Sequence, residues 1–133
     1  MNLQEALAGR RSIRSFKQED VPDSIIKEIL SAGILAPAPS NRQQWEVIAV
    51  NDKKIIGRLN KEAGAQDTIL NCPVLFAIIV AMEFNKENYS NIQATAAAVQ
   101  NMQLKAFDLG YGSCCMAGIG DPKKIKEILE IPD

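Results

Sequence analysis

Apolar residues recur along this 133-residue chain in two rhythms, and the switches between them predict the order of its elements. Leu3, Ala6 and Leu7 share one face of a short helix, with Asn2 and Glu5 spaced as a capping box and Gly9 as its stop. Ile25, Ile26, Ile29, Leu30 and Gly33 repeat at helical spacing. A second helix therefore starts near Pro22 and ends before Pro37, because a residue preceding proline resists the helical region. The loop APAPSNRQQ leads into a strand at Trp45–Val50. Asp52 is placed to cap a third helix that turns Ile55, Ile56 and Leu59 inward. The stretch CPVLFAIIVAM is apolar on both faces, as suits a central strand covered on each side.

From Asn91 to Leu109 runs an alanine-rich helix whose apolar character wraps most of the way round. Such a helix is either a buried spine or part of a subunit interface. Gly110 closes it, and a short strand is expected near Ser113–Met116. Asp121 and Pro122 cap a last helix bearing Ile125, Ile128 and Leu129, and the chain stops at Ile131-Pro132-Asp133. Interleaved helices and strands make the class α/β or α+β, with helices packed on a small sheet. Three strands are few for so many helices, which leaves room for a partner chain to complete the layer. The length suits a single domain over residues 1–133.

Composition narrows the chemistry. Fifteen basic residues against 16 acidic ones give a net charge of -1, unlike the broad positive field of a nucleic-acid binder. The N-terminus lacks a signal-peptide pattern, and the longest apolar run, Val74–Met82, is about half of what a membrane span needs. A soluble, cytoplasmic protein without membrane or nucleic-acid partners is expected. Three cysteines, two of them adjacent, form neither a disulfide framework nor a zinc pattern, and read as small core residues. There is no histidine, which excludes Ser-His-Asp and Cys-His nucleophiles, HExxH proteases and histidine-held metals. No carboxylate pair stands out either. No metal site and no catalytic side chain are expected, and an imported cofactor would carry any redox or transfer chemistry.

Several stretches are candidates for binding it. GRRSIRSF, residues 9–16, puts Arg10, Arg11 and Arg14 within five positions, with Ser12 and Ser15 between them. Taken alone it reads either as a solvated basic turn or as an anion site of guanidinium forks and hydroxyls. The loop 36–44 combines rigidifying prolines with Ser40, Asn41, Gln43 and Gln44, whose amides suit the edge of a heterocycle or simply a polar connection. Trp45 reads as a core anchor. LGYGSCCMAGIGD is not a dinucleotide fingerprint, because Cys115 replaces the third glycine and a helix precedes it. Its glycines suit close backbone approach to a neighbour or ligand. Cys114-Cys115 reads as packing rather than as a redox pair, since adjacent cysteines make a strained disulfide.

Together these segments resemble the FMN-dependent nitroreductase family. Arg10-Arg11-Ser12-Ile13-Arg14-Ser15-Phe16 is similar to its R-x-S-x-[RK]-x-F segment, and Ala36–Trp45 to its A-P-S-x-x-N-x-Q-P-W loop. AAAVQNMQLKAFDLGYGSC looks like its central helix and Leu-Gly-x-Gly-Ser turn. The resemblance implies a three-layer fold and a homodimer with FMN at the subunit interface. By similarity, Arg10, Arg11 and Ser12 lie toward the phosphate and ribityl chain, and Arg14 toward the pyrimidine edge. Pro37, Ala38, Pro39, Asn41 and Gln43 would reach the flavin of the other subunit, while Ala117 and Gly118 lie beside the ring. The implied activity is ping-pong hydride transfer from NAD(P)H through FMN to a nitroaromatic or quinone, with no side chain as acid, base or nucleophile.

The chain departs from the family pattern in places. Gln44 stands where relatives have proline, and Ala38 and Pro39 replace small hydroxyl residues. The connection from Ala81 to Asn91 is short, which implies an abbreviated pocket wall. Relatives continue past the ILEIPD-like helix end into a further strand and a basic segment, so this chain is either cut short or a natural minimal form. The alternative to an enzyme is a dimeric member of the fold that is non-catalytic or binds FMN weakly.

Overall fold

A computed structural model describes residues 1–80 and 89–132. Helix α1 spans Leu3–Gly9, α2 Asp23–Ile34, α3 Lys53–Ala63, α4 Ser90–Asp108 and α5 Pro122–Leu129. Strands β1 (Trp45–Val50) and β2 (Leu75–Val80) form a sheet, and single 3-10 turns occupy Pro39–Asn41 and Asp67–Asn71. The helix starts follow from local side chains. The Asn2 carboxamide accepts from the Glu5 N–H at 2.9 Å while the Glu5 carboxylate accepts from the Asn2 N–H at 3.1 Å. Asp52 accepts from the Lys54 N–H at 2.7 Å and Asp121 from the Lys123 N–H at 2.9 Å. Each bond satisfies a donor that the first turn leaves without an intrahelical partner.

β1 and β2 pair antiparallel over their full length, from Trp45 opposite Val80 to Val50 opposite Leu75. Because side chains alternate across a strand, this ladder divides the apolar residues between two cores. On one face Ile48, Val50 and Leu75 meet Ile56, Leu59 and Ala63 of α3 and Ile128 of α5. On the other, Val47, Phe76 and Ile78 meet Ile29 of α2 and Met102 and Ala106 of α4. The result is the expected three-layer α/β arrangement. Gly33 permits the second core to close: a Cβ there would lie 3.1 Å from Met102 Cγ and 3.3 Å from the Trp45 ring. Trp45 thus anchors the strand against α2, half-buried rather than enclosed.

Some expectations are corrected. Only Ala6 of α1 is buried, and Leu3 and Leu7 are 70% and 51% exposed, because α4 covers too little of so short a helix. Ser113–Met116 forms no strand. Ser113 makes a single parallel bridge to Ser12 and no ladder follows, since the one segment alongside it is itself irregular. Among the described residues the sheet therefore has two strands. Along α4 only the stripe Ala94, Thr95, Ala98, Met102 and Ala106 is buried, while Ile92 and Ala96 lie on an open face. Of the cysteines only Cys72 is a core residue; Cys114 is half-buried and Cys115 exposed. The Ala81–Asn91 connection falls mostly on residues 81–88, outside the described residues, as do Ala81 and Met82 of the apolar run.

Candidate functional site

α1 delivers the basic segment. Gly9 ends the helix against the Phe107 ring, so closely that a Cβ would lie 2.6 Å from the ring. Beyond it the chain runs extended, and the Ile13 N–H donates to the Ser113 carbonyl at 2.9 Å. Gly112 lets this happen, since a Cβ there would press on Ile13 at 2.9 Å. One bridge thus places Arg10–Arg14 beside the turn that follows α4. Between them lies a hollow of about 220 Å³ whose lining includes Arg10, Arg11, Ile13, Phe107, Gly112 and Ser113. Ser113 Oγ is buried there without a hydrogen-bond partner among the described residues.

The three arginines differ in their duties. The Arg11 guanidinium donates to the carbonyls of Ala8 at 2.6 Å and Arg10 at 2.9 Å. Arg10 is half-buried, Ser12 and Arg14 are exposed, and none of their side chains has a hydrogen bond or ion pair among the described residues. A half-buried guanidinium without a carboxylate retains its full capacity for an anion.

The glycine-rich segment is docked on the end of α3. Met116 packs into the core under α3 and α5, and Ala117 and Gly118 stay exposed. Gly118 rests on the Gln66 carboxamide so tightly that a Cβ would overlap it. Gly120, at φ +87°, backs onto the Ala63 carbonyl, which also accepts from the Asp121 N–H at 2.7 Å. Asn60 stiffens the turn beneath by donating to the Ala65 carbonyl at 2.8 Å and to Asp67 at 2.9 Å. The glycines do allow close approach, as their pattern predicts. The Gly118 N–H itself has no acceptor among the described residues, and the residue is exposed. Gln66 and Ser113 are the residues that sequence reasoning missed. Gln66 lies in the connection after α3, outside every motif, and only the tertiary contact with Gly118 reveals it.

The loop between α2 and β1 is held in an unusual shape. Ser40, Asn41 and Gln43 all have positive φ, at 50°, 54° and 50°. Without glycine's freedom each such residue costs on the order of 1 kcal/mol, and such strain persists where neighbours impose it. Here Gln43 donates its side-chain N–H to the Ile34 carbonyl at 2.7 Å, and the Gln43 carbonyl accepts from the Trp45 N–H at 2.8 Å. Pro37, Pro39 and Asn41 are exposed, and Ala38 is half-buried. No hydrogen bond joins this loop to Arg10–Arg14 or to Ala117 and Gly118 among the described residues. The Ser12–Ser113 bridge thus joins the basic segment to the start of the glycine-rich one, and no such link ties the loop to either among the described residues.

Among the described residues there is no cluster of three or more metal-ligating side chains, and no helix long and apolar enough to cross a membrane. Burial pushes the Cys72 thiol up, against the opposing pull of the Lys53 ammonium, and its Sγ donates to the Ile69 carbonyl at 3.0 Å. With its thiolate suppressed and its sulfur covered, Cys72 is expected to ignore a thiol reagent at pH 8 that modifies Cys115. Titration with a chromogenic disulfide should count the buried thiol only after denaturant is added. Its rapid modification in the native protein would contradict this packing.

Comparison with known proteins gives a consistent picture. The model of the nitroreductase family matches residues 7–66 and 57–133. A protein of Archaeoglobus fulgidus is 29% identical over 128 residues, covering 93% of this chain and 74% of its own length. One of Methanothermobacter thermautotrophicus is 30% identical over 115 residues, covering 85% of this chain. Both carry the name NADH dehydrogenase/NAD(P)H nitroreductase. The chain spans 59% of the second relative, less than two thirds of its length. Among solved structures, an FMN-dependent nitroreductase of Clostridium difficile superposes with a TM-score of 0.83 at 30% identity, covering 98% of this chain and 80% of that one.

Proposed function

The chain belongs to the nitroreductase family, and from that premise we propose that it is an FMN-dependent oxidoreductase acting as a homodimer. The observation that carries the reading is the Ser12–Ser113 bridge. It sets unpaired Arg10 on the hollow that Ser113 also lines, with unpaired Arg14 two residues past the bridge and the Gly118 N–H five residues after Ser113. The buried Ser113 hydroxyl has no partner among the described residues. Cationic forks at one end and a lone amide donor at the other fit a group that joins a phosphate to an electron-rich heterocycle. The similarity to an FMN-dependent nitroreductase supports the same group.

When bound, FMN supplies two-electron chemistry, accepting hydride from NAD(P)H and returning it to a nitroaromatic or quinone in ping-pong order. This chain's residues then bind and tune. Arg10 and Ser12 hold the phosphate and ribityl chain, and Arg14 sets a positive charge at the pyrimidine edge, where it favours the reduced, anionic form. The Gly118 N–H, flanked by Ala117, donates to the ring's reactive nitrogen, and the Gln66 carboxamide borders the same spot. No side chain of the site works as acid, base or nucleophile.

Pro37, Ala38, Pro39, Asn41 and Gln43 serve the partner's flavin, in keeping with a loop that its own chain leaves unattached to the site. The exposed apolar residues Leu3 and Leu7 on α1 and Ile92 on α4 give the homodimer a surface to bury. The cytoplasm is the proposed location, and residues 1–133 act as one domain.

A visible spectrum recorded after adding FMN and desalting tests the reading. Flavin bands that remain, and that NADH or NADPH bleaches, are expected. Retained flavin that neither nicotinamide bleaches would favour the non-catalytic member of the fold, and colourless protein would overturn FMN binding.

A further inference from the structure

We infer that Arg11, although grouped by the family resemblance with the flavin-binding residues, is a positioning residue that clasps the end of α1 and so sets the basic segment in place. The inference rests on the flavin reading above. α1 has no basic residue in its last turn, and the Ala8 carbonyl lies where helical bonding leaves oxygens unsatisfied. The Arg11 guanidinium supplies both missing things, a donor at 2.6 Å and a positive charge at the negative end of the helix. The same nitrogen donates to the Arg10 carbonyl at 2.9 Å, so it also fixes the first bend of the segment.

Within Arg10–Arg14 the held and free side chains alternate. Arg11 is tied to α1, and Ile13 is pressed on Gly112 with its N–H on Ser113. Arg10, Ser12 and Arg14 carry no side-chain bond among the described residues. Holding Arg11 and Ile13 fixes the path of the segment that carries Arg10, Ser12 and Arg14. Both N–H groups of the Arg11 Nη1 are committed to Ala8 and the bend, so this nitrogen has none left for a phosphate. The framework duty therefore excludes the ligand duty for this nitrogen.

The test uses flavin titrations and flavin-free melting of the whole chain. Arg11→Ala should lower the flavin-free Tm by about 2–4 °C, the scale of a lost terminal helix contact. It should weaken FMN and riboflavin alike, by about fivefold, the cost of ordering a loosened segment on binding. Arg11→Lys, which keeps a cationic donor, should restore much of both. Asn2→Ala, which uncaps the other end of the same helix, should lower the Tm comparably while leaving both flavin affinities unchanged. Loss of FMN without loss of riboflavin, at an unchanged Tm, would overturn the inference by making Arg11 a phosphate ligand. Arg11→Ala that only melts earlier, as Asn2→Ala does, would overturn it too. Wild-type protein that binds neither flavin would refute the flavin reading, and this assignment with it, before any variant is compared.

Discussion

Gly120→Ala is expected to destabilise the chain by more than about 3 kcal/mol, read as a fall in the urea midpoint. Two costs add at this position. The backbone sits at φ +87°, where an L side chain is strained, and the new methyl group would strike the Ala63 carbonyl oxygen. That oxygen cannot move aside cheaply, because it belongs to the last turn of α3 and accepts from the Asp121 N–H at 2.7 Å. Relief requires the Gly118–Asp121 segment to lift off α3, which also strains the seat of α5. Gly64→Ala is the matched comparison. Gly64 has φ +76° with open space around its α-carbon, so only the backbone term applies, about 1 kcal/mol. Equal losses in the two variants would refute the close approach. If the excess is found, Gly120→Ala should also impair flavin retention, since it displaces the Gly118 N–H.

The second large effect concerns ligand rather than fold. Arg10→Ala and Arg14→Ala are each expected to weaken FMN about 10- to 100-fold, the range for removing a charge-assisted hydrogen bond of about 1.5–3 kcal/mol. Because neither guanidinium has an ion-pair partner among the described residues, the flavin-free protein should melt within a degree or so of wild type, as surface changes usually do. Riboflavin separates their duties. It lacks the phosphate, so Arg10→Ala should cost it less than it costs FMN, whereas Arg14→Ala should cost the two flavins equally. Fluorescence titration measures both ratios. An Arg10 variant that loses riboflavin as strongly as FMN would move Arg10 away from the phosphate.

Much of this architecture is legible in local chemistry. Asn2 with Glu5, Asp52 and Asp121 each announce a helix start, and each makes the capping bond expected of it. The limits of β1 follow from the apolar run that Trp45 opens. What escapes is set by partners distant in sequence. Ser113–Met116 has the composition of a strand, but a ladder needs a neighbour in register, and only Ser12 arrives. Ser40 and Gln43 adopt left-handed backbone against their own preference, and the hydrogen bond from Gln43 to Ile34 that holds the end of this loop is encoded by no propensity. Leu3 and Leu7 have helical spacing, yet spacing says nothing about whether a second layer is present to cover them.

For the site, the motif Arg10–Phe16 is recognisable as a basic cluster, and the family resemblance assigns it a ligand. Its internal division is not visible in the letters. Arg10, Arg11 and Arg14 are chemically the same side chain, and only the position of the α1 terminus makes one of them a framework residue. Gln66 gives no signal at all in sequence, because its relation to Gly118 is a contact across more than fifty residues.

The two-stranded ladder has a consequence for how disturbances spread. Val47 and Ile48 are consecutive in the chain yet belong to different cores, as do Leu75 and Phe76. A side chain removed beneath α5 therefore alters the pleat on which α4 depends, although the two helices share no apolar cluster. Residues on opposite faces of the sheet, too far apart to touch, become energetically coupled through a thin common wall, and their substitutions need not sum. For the same reason the amides of β1 and β2 should be among the slowest to exchange with solvent, since freeing them opens both halves of the molecule together.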